Sequence, residues 1–147
     1  SFGIDVGVAS IASEVGSPVA LFAGIDYHRW RVILRPFDWV LIGIDEESNE
    51  SSRALHRYRL EARYAFPIAR SDLQLGVGML RARGSRGLRE SGLSWRADES
   101  RGFFVAGLHS ASDLCFRGGV ELRAMPEIVE LTFSGYWAFA RRCFWRQ

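Results

Sequence analysis

The chain contains no lysine. All 19 basic residues are arginine, and 17 acidic residues leave a net charge of +2. With no polybasic or acidic tail, this balance argues against nucleic acid as a partner. Apolar runs such as 39–44 fall far short of the roughly 18 residues that a membrane-spanning helix needs, so such a helix is excluded. Two cysteines, Cys115 and Cys143, are too few for the disulfide framework of a small secreted domain.

What is present fits one folded domain. With 147 residues and 48% hydrophobic content, the chain can bury a full core, and we expect a single domain over 1–147. No motif calls for a cofactor or a metal, so we expect neither. In strands of regular alternation Cys115 falls on the polar face and Cys143 on the apolar face, which predicts two unpaired thiols rather than a bridge.

The hydrophobic pattern repeats every two residues. In 57–66, Arg57, Arg59, Glu61 and Arg63 share one face, while the alternate positions from Tyr58 to Phe66 are apolar. Side chains three or four residues apart differ in character, which excludes a helix and predicts a strand with one polar and one apolar face.

The same alternation recurs along the whole chain, with turn-forming compositions between the runs. The predicted strands are 2–12, 18–28, 30–44, 53–66, 72–83, 102–110, 114–124 and 129–144. Pro36 predicts a bulge or an edge within the third strand. Short strands joined by turns, with no helical stretch between them, predict an all-β, antiparallel up-and-down barrel of about eight strands.

The two faces favour a transmembrane barrel, in which the apolar face meets lipid and the polar face lines the interior. Small residues interleave with charged ones on the polar face, as suits a narrow, filled lumen: Gly3, Gly7, Gly24, Gly76, Gly78 and Gly119. Aromatic residues gather near strand ends, as interfacial girdles do: Tyr27, Trp30, Trp39, Tyr64, Phe66, Trp137 and Phe139. Spanning strands of about 9–11 residues also fit the chain length.

An even number of strands places both ends of the barrel chain on one side of the membrane, the periplasmic side by the usual rule. The long polar connections 45–52 and 84–101 then fall outside, and the compact turns 28–30, 67–71 and 110–113 fall inside. The acidic connection 45–50 and the basic connection 83–89 carry opposite charge. We expect solvated loops, and the alternatives are a contact between the two across the barrel mouth or binding of a partner or of lipopolysaccharide phosphates. The turn at Pro126 also falls outside.

The closing hairpin resembles that of the small eight-stranded outer-membrane barrels of the OmpA-like transmembrane-domain type. It runs from Gly119 to Leu131, with an alternating strand, a turn at Pro126 and a returning strand, and 60–67 followed by 73–78 echoes it. The resemblance implies a bacterial outer-membrane location for a mature chain whose signal peptide has been removed.

Charged side chains on the polar face predict a luminal network, since the forked guanidinium pairs well with carboxylates. Its predicted members are Arg57, Arg59, Glu61, Arg63, Arg117, Glu121, Arg123 and Glu130. In an eight-stranded barrel side chains just fill the interior, so the network is expected to stiffen the barrel rather than conduct ions.

Two further groups of residues are candidate sites of chemistry. His109 with Ser110, Ser112 and Glu121 resembles the serine–histidine–acid arrangement of an outer-membrane lipid A deacylase, although a polar turn explains the serines equally well. Asp5, Asp26 and His28 would approach one another if neighbouring strands aligned them, but luminal filling is the simpler interpretation.

The resulting prediction is a non-enzymatic outer-membrane barrel with a structural, anchoring or adhesion role, or a subunit of an envelope complex. Its expected partners are the lipid bilayer, lipopolysaccharide and envelope proteins. The first alternative is a soluble lipocalin-like barrel that binds a hydrophobic ligand, with Leu60, Val77 and Phe116 inside. The second is a membrane-embedded lipid-modifying enzyme that uses His109.

Overall fold

The computed structural model describes residues 1–11, 14–42, 53–83, 100–110 and 115–137, and the regular elements in these ranges are all β-strands. They are β1 (Phe2–Ile11), β2 (Glu14–Tyr27), β3 (Trp30–Ile42), β4 (Arg53–Ile68), β5 (Ser71–Arg83), β6 (Ser100–Ser110), β7 (Phe116–Met125) and β8 (Ile128–Trp137). The described ranges contain no helix that is long and apolar enough to cross a lipid bilayer.

The sheet closes on itself. Each strand pairs antiparallel with the next one in sequence, and β1 also pairs with β8, from Phe2 opposite Trp137 to Ile11 opposite Ile128. The prediction of an all-β, eight-stranded, up-and-down barrel is therefore confirmed. Closure gives each of the eight strands a hydrogen-bonded neighbour on both sides, so the barrel lacks the free edge strands of an open sheet.

Within the described residues the strand bounds agree with the alternation to within two residues, except at the start of β2, which is predicted at residue 18 and begins at Glu14. Pro18 has no N–H group, and pairing between β1 and β2 is interrupted there, between Val6↔Val19 and Ala9↔Gly16. Pairing resumes at Gly16, so a proline that looked like a turn signal sits within the strand. The predicted stretches 12, 43–44 and 138–144 lie outside the described residues.

The bulge predicted at Pro36 is present in β3. The register between β3 and β4 shifts between Arg35 and Asp38, and the register between β2 and β3 shifts opposite it, between Leu21 and Ala23. One extra residue inserted at this point lets both Arg35 and Asp38 point into the barrel, although strict alternation would separate them.

The two ends of the barrel differ. At the turn end, two-residue turns join β2 to β3 and β4 to β5, with His28 and Ala69 at positive φ values of 57° and 52°. The loop end carries the connections 12–13, 43–52 and 84–99. It also carries the tight turn Pro126–Glu127, on the side where the parity count placed it. The interiors of the long connections lie outside the described residues.

The interior is layered along the barrel axis. An apolar plug fills the loop end, consisting of Ala9, Val40, Leu55, Leu80, Ala82, Phe103, Val105, Met125 and Ile128. Charged side chains fill the middle, and Phe22, Ile33 and Tyr136 pack together towards the turn end. The guanidinium of Arg31 lies 4.0 Å from the centre of the Tyr136 ring.

The cysteine prediction needs a correction. Cys115 is disulfide-bonded, so it is not the unpaired thiol expected from the alternation. The strand was predicted to start at residue 114, but β7 starts at Phe116 and Cys115 lies in a bend before it. Outside a strand the rule of alternating faces does not constrain a side chain. Cys143 lies outside the described residues.

Candidate functional site

The structure places seven of the eight predicted network residues inside the barrel, each at most 2% exposed. They are Arg57, Arg59, Glu61, Arg63, Glu121, Arg123 and Glu130. The eighth, Arg117, is only half-buried, near the turn end of β7. The polar face that the alternation defines in β4, β7 and β8 is therefore the face that lines the interior.

Nearer the loop end, two arginines of β4 meet two carboxylates in what we term the four-residue cluster. Asp38 Oδ1 lies 2.9 Å from Arg57 NH2, and Asp38 Oδ2 lies 2.5 Å from Arg59 Nε. On the other side, Glu130 contacts Arg57 NH1 and lies 2.6 Å from Arg59 NH1. Two positive and two negative charges face one another, so the cluster is neutral as a unit.

Next to it lies the six-residue cluster, in which three guanidiniums face three carboxylates: Arg35, Arg63, Arg123, Asp5, Glu61 and Glu121. Arg35 Nε donates to Asp5 Oδ2 at 2.7 Å, and Arg63 NH1 donates to Glu121 Oε1 at 2.6 Å. These contacts connect β1, β3, β4 and β7 across the lumen and again balance the charge.

Arg123 contacts all three carboxylates of the six-residue cluster and a threonine of β8. Its NH2 group lies 3.1 Å from Asp5 Oδ2 and also contacts Glu121. Its Nε lies 3.2 Å from Glu61 Oε1, and its NH1 donates to Thr132 Oγ1 at 2.6 Å. Removing this one side chain would leave an uncompensated negative charge in the buried interior.

Three network members were not predicted as such. Arg35 and Asp38 belong to a strand whose alternation is broken by the bulge at Pro36, so their shared face could not be read from the spacing. Asp5 stood among the candidate metal ligands instead. Its membership in the network could have been predicted from its alternation with Ile4 and Val6, which places Asp5 on the interior face with the other charges.

Inward-facing glycines make room for these large side chains. A Cβ added at Gly76 would lie 2.8 Å from Arg63 Cγ, and one added at Gly119 would overlap the imidazole of His109. Real Cβ atoms do not approach that closely, so a larger residue would displace its neighbour. The mixture of glycine and arginine along the polar face therefore follows from packing in a narrow lumen.

We expect Gly119→Ala to lower the free energy of unfolding by about 1–3 kcal/mol, because the added methyl group overpacks the lumen against His109. Gly118→Ala is the matched control. Its Cβ would point outward, and within the described part of the chain it would meet only the carbonyl oxygen of Ser134, at 3.6 Å. Urea unfolding of the refolded barrel measures both variants, and equal losses at the two positions would contradict this explanation.

His109 lies in the interior rather than at an accessible catalytic position. It is 2% exposed, and its Nε2 lies 3.1 Å from Glu121 Oε1. Ser110 is the next residue of the strand and so points to the opposite face, where its hydroxyl accepts a hydrogen bond from Gly118 N at 3.1 Å. The structure brings the acid to His109 but not this serine, and Ser112 lies outside the described residues.

The three residues weighed as metal ligands are not brought together. Asp5 contacts Arg35 and Arg123, Asp26 Oδ1 lies 3.0 Å from Arg31 Nε, and His28 is exposed in a turn. In the ranges that the structure describes, no group of three or more His, Cys, Asp or Glu side chains is placed to hold a metal ion.

The outer wall of the barrel is apolar, whereas the middle of its interior is charged. Apolar side chains point outward along all eight strands, with Val77, Leu60 and Phe116 exposed by 55%, 51% and 55%. Among the side chains described in the strands, Arg81 and Arg83 are the ionised groups on the outer face, at the loop end of β5. The outward-facing wall is therefore a nearly uncharged apolar band.

Aromatic residues mark the edges of this band. At the turn end, Trp30 and Tyr64 have ring centres 5.2 Å apart, and Phe116 and Trp137 have theirs 5.0 Å apart. Nearer the loop end, Trp39 stacks on His56 with ring centres 5.6 Å apart. Of the aromatic residues singled out in the sequence, Phe139 lies outside the described residues.

Together these features define a class of architecture, a closed eight-stranded barrel with a salt-bridged interior and an apolar exterior. No protein-family model matches the chain, and searches of curated proteins and of solved structures find no significant match to it. The resemblance to OmpA-like barrels stays a prediction that depends on sequence pattern.

Proposed function

We propose that the chain is a transmembrane β-barrel of a bacterial outer membrane with a non-catalytic structural, anchoring or adhesion role, or a subunit of an envelope complex. The observation that carries this proposal is the inverted distribution of side chains. Ionised residues such as Arg57 and Glu130 are fully buried, while large apolar side chains such as Phe104 are up to 71% exposed.

Water is a poor solvent for such an exterior. Soluble monomers rarely expose contiguous apolar patches above a few hundred Å², and here the patch surrounds the barrel. A bilayer, in contrast, favours apolar side chains outside and a sheet without free edges, as in this closed barrel. The strands, 10–16 residues long, also meet the length of about 9–11 residues needed to span the bilayer.

The disulfide at Cys115 supports a location outside the cytoplasm, because disulfides persist mainly in oxidising compartments such as the periplasm. In the proposed orientation, the loop end faces outward and the turn end faces the periplasm, following the usual distribution of long and short connections.

A structural role fits the interior better than transport does. The middle of the lumen is occupied by the two charge clusters, and the loop end is occupied by the apolar plug. An eight-stranded barrel has room for little more than its own side chains. The expected partners are therefore the bilayer, lipopolysaccharide and other envelope proteins.

The soluble alternative places Leu60, Val77 and Phe116 inside around a hydrophobic ligand. That placement is wrong, since the three side chains lie on the outer face and charged groups occupy the middle of the lumen. The lipid-modifying alternative needs His109 to reach a lipid ester, whereas His109 is buried against Glu121.

The test is the dependence of folding on an amphiphile. We expect the purified chain to acquire β-sheet circular dichroism, and a gel mobility that boiling changes, in detergent micelles or phosphatidylcholine vesicles, and to aggregate in plain buffer. The physical reason is the apolar outer wall, which only an amphiphile covers. A chain that is folded and monomeric in plain buffer would refute the membrane proposal.

A further inference from the structure

Two exposed arginines lie in neighbouring turns at the turn end. Arg29 lies in the turn between β2 and β3, and Arg70 lies in the turn between β4 and β5. Ala65 N of β4 donates a hydrogen bond of 2.8 Å to the carbonyl oxygen of Arg29, which fixes the first turn against the hairpin that carries the second. Both arginines therefore lie on the same side of the barrel, the side formed by β2 to β5.

These two arginines are not neutralised by carboxylates. In the ranges that the structure describes, neither Arg29 nor Arg70 forms an ion pair. Of the carboxylates at this end, Asp26 Oδ1 lies 3.0 Å from Arg31 Nε, and Asp72 is buried inside the barrel. The exposed surface at these turns therefore carries uncompensated positive charge, which attracts anions.

A row of aromatic side chains crosses the outer wall next to these turns. Tyr27 is opposite Trp30, and Trp30 is opposite Tyr64, in the registers of β2 to β4. The ring centres of Trp30 and Tyr64 are 5.2 Å apart, and those of Tyr64 and Phe66 are 4.8 Å apart. Tyrosine and tryptophan rings favour the headgroup level of a bilayer, since they have an apolar body and a polar end. We term this row, together with the two arginines, the turn-end patch.

We propose that the turn-end patch binds an anionic phospholipid, with the headgroup phosphate at the two arginines and the start of the acyl chains against the aromatic row. The proposal depends on the membrane function proposed above, which sets the turn end in the periplasmic leaflet. Charge complementarity favours an anionic lipid over a neutral one, because neither guanidinium has a carboxylate partner in the described part of the chain. The apolar side chains of Val32 and Leu75, which are exposed below the row, favour a lipid over a free anion.

The experiment compares phosphatidylglycerol with phosphatidylcholine of the same acyl chains. Each lipid is titrated into the barrel in neutral detergent micelles, and native mass spectrometry measures the bound fraction. The test variants are Arg29→Gln, Arg70→Gln and the two changes together. The matched control for each single variant is Arg83→Gln, which removes an exposed arginine at the loop end. Arg29→Lys/Arg70→Lys keeps the charge and tests whether the charge, rather than the structure of the turns, carries the binding.

We expect the wild type to bind phosphatidylglycerol at least about tenfold more tightly than phosphatidylcholine, since each arginine near an anionic headgroup strengthens binding several-fold. Each single glutamine variant should lose about threefold, and the double glutamine variant should bind the two lipids within about twofold of each other. Arg83→Gln should retain the preference of the wild type, because it lies at the opposite end of the barrel. The lysine variant should retain most of that preference, because it keeps both positive charges.

Equal losses at Arg83 and at the two turn arginines would overturn the turn-end patch, because the attraction would then be a general effect of charge. A lysine variant that binds as weakly as the double glutamine variant would also overturn it. A barrel that folds in micelles yet binds both lipids equally well would overturn the turn-end patch and leave the membrane function intact. A chain that is folded and monomeric without any amphiphile would overturn both.

Discussion

Arg123→Met should lower the free energy of unfolding by about 3–5 kcal/mol. Methionine retains much of the aliphatic volume of arginine but leaves Asp5, Glu61 and Glu121 facing only two guanidiniums in the lumen. The uncompensated carboxylate is buried away from water, where its charge is costly. Urea unfolding of the barrel in lipid vesicles, followed by tryptophan fluorescence, measures the loss.

The control for Arg123→Met is Leu122→Met, the preceding residue on the outer wall, which should change the stability by no more than about 0.5 kcal/mol. A rescue distinguishes charge balance from packing. Adding Asp5→Asn removes one negative charge and leaves two guanidiniums, Arg35 and Arg63, with two carboxylates, Glu61 and Glu121. Each of these guanidiniums already contacts both carboxylates. We expect the double variant to be more stable than Arg123→Met alone. If the second change instead costs further stability, the charge-balance explanation is wrong.

Val77→Arg should lower the free energy of unfolding in vesicles by about 2–4 kcal/mol, because it places a charge at the middle of β5 on the outer wall, which the membrane proposal sets against lipid. Ser71→Arg is the matched control. It lies on the same face at the turn end of the same strand, near the interface, where the cost of arginine is about 0–1 kcal/mol.

The comparison of Val77→Arg with Ser71→Arg tests whether the outer wall contacts a bilayer or water. On a water-exposed wall, replacing an exposed valine by arginine would be nearly neutral at either position. Equal and small effects at positions 71 and 77 would therefore argue that the wall does not face lipid. A loss that grows towards the middle of the strand is the result expected for a bilayer.

Much of the fold could be predicted because the barrel depends on a period of two. In β4, the sequence Arg57 to Phe66 assigns every side chain to a face, and a slip of one residue would send all the arginines outward. The strand count followed from the turn signals between such runs. The start of β2 could not be predicted in this way, since Pro18 normally ends a strand and here only interrupts pairing with β1.

The candidate site was predictable in composition but not in pairing. Alternation placed Arg63 and Glu121 in one lumen, whereas their contact joins residues 58 positions apart in the chain. The partners Arg35 and Asp38 were hidden by the bulge that brings both inside.

The order of residues alone makes one face of each strand charged or small and the other face apolar. The pairing of each guanidinium with its carboxylates, the disulfide bond of Cys115 and the balance of charge in groups of four and six come from the folded barrel. Closure and stagger of the sheet set those distances, and neither follows from local spacing. The use of arginine instead of lysine agrees with this interior. Each buried arginine of the two clusters contacts at least two carboxylates. A single ammonium group satisfies two carboxylates less well than a forked guanidinium does.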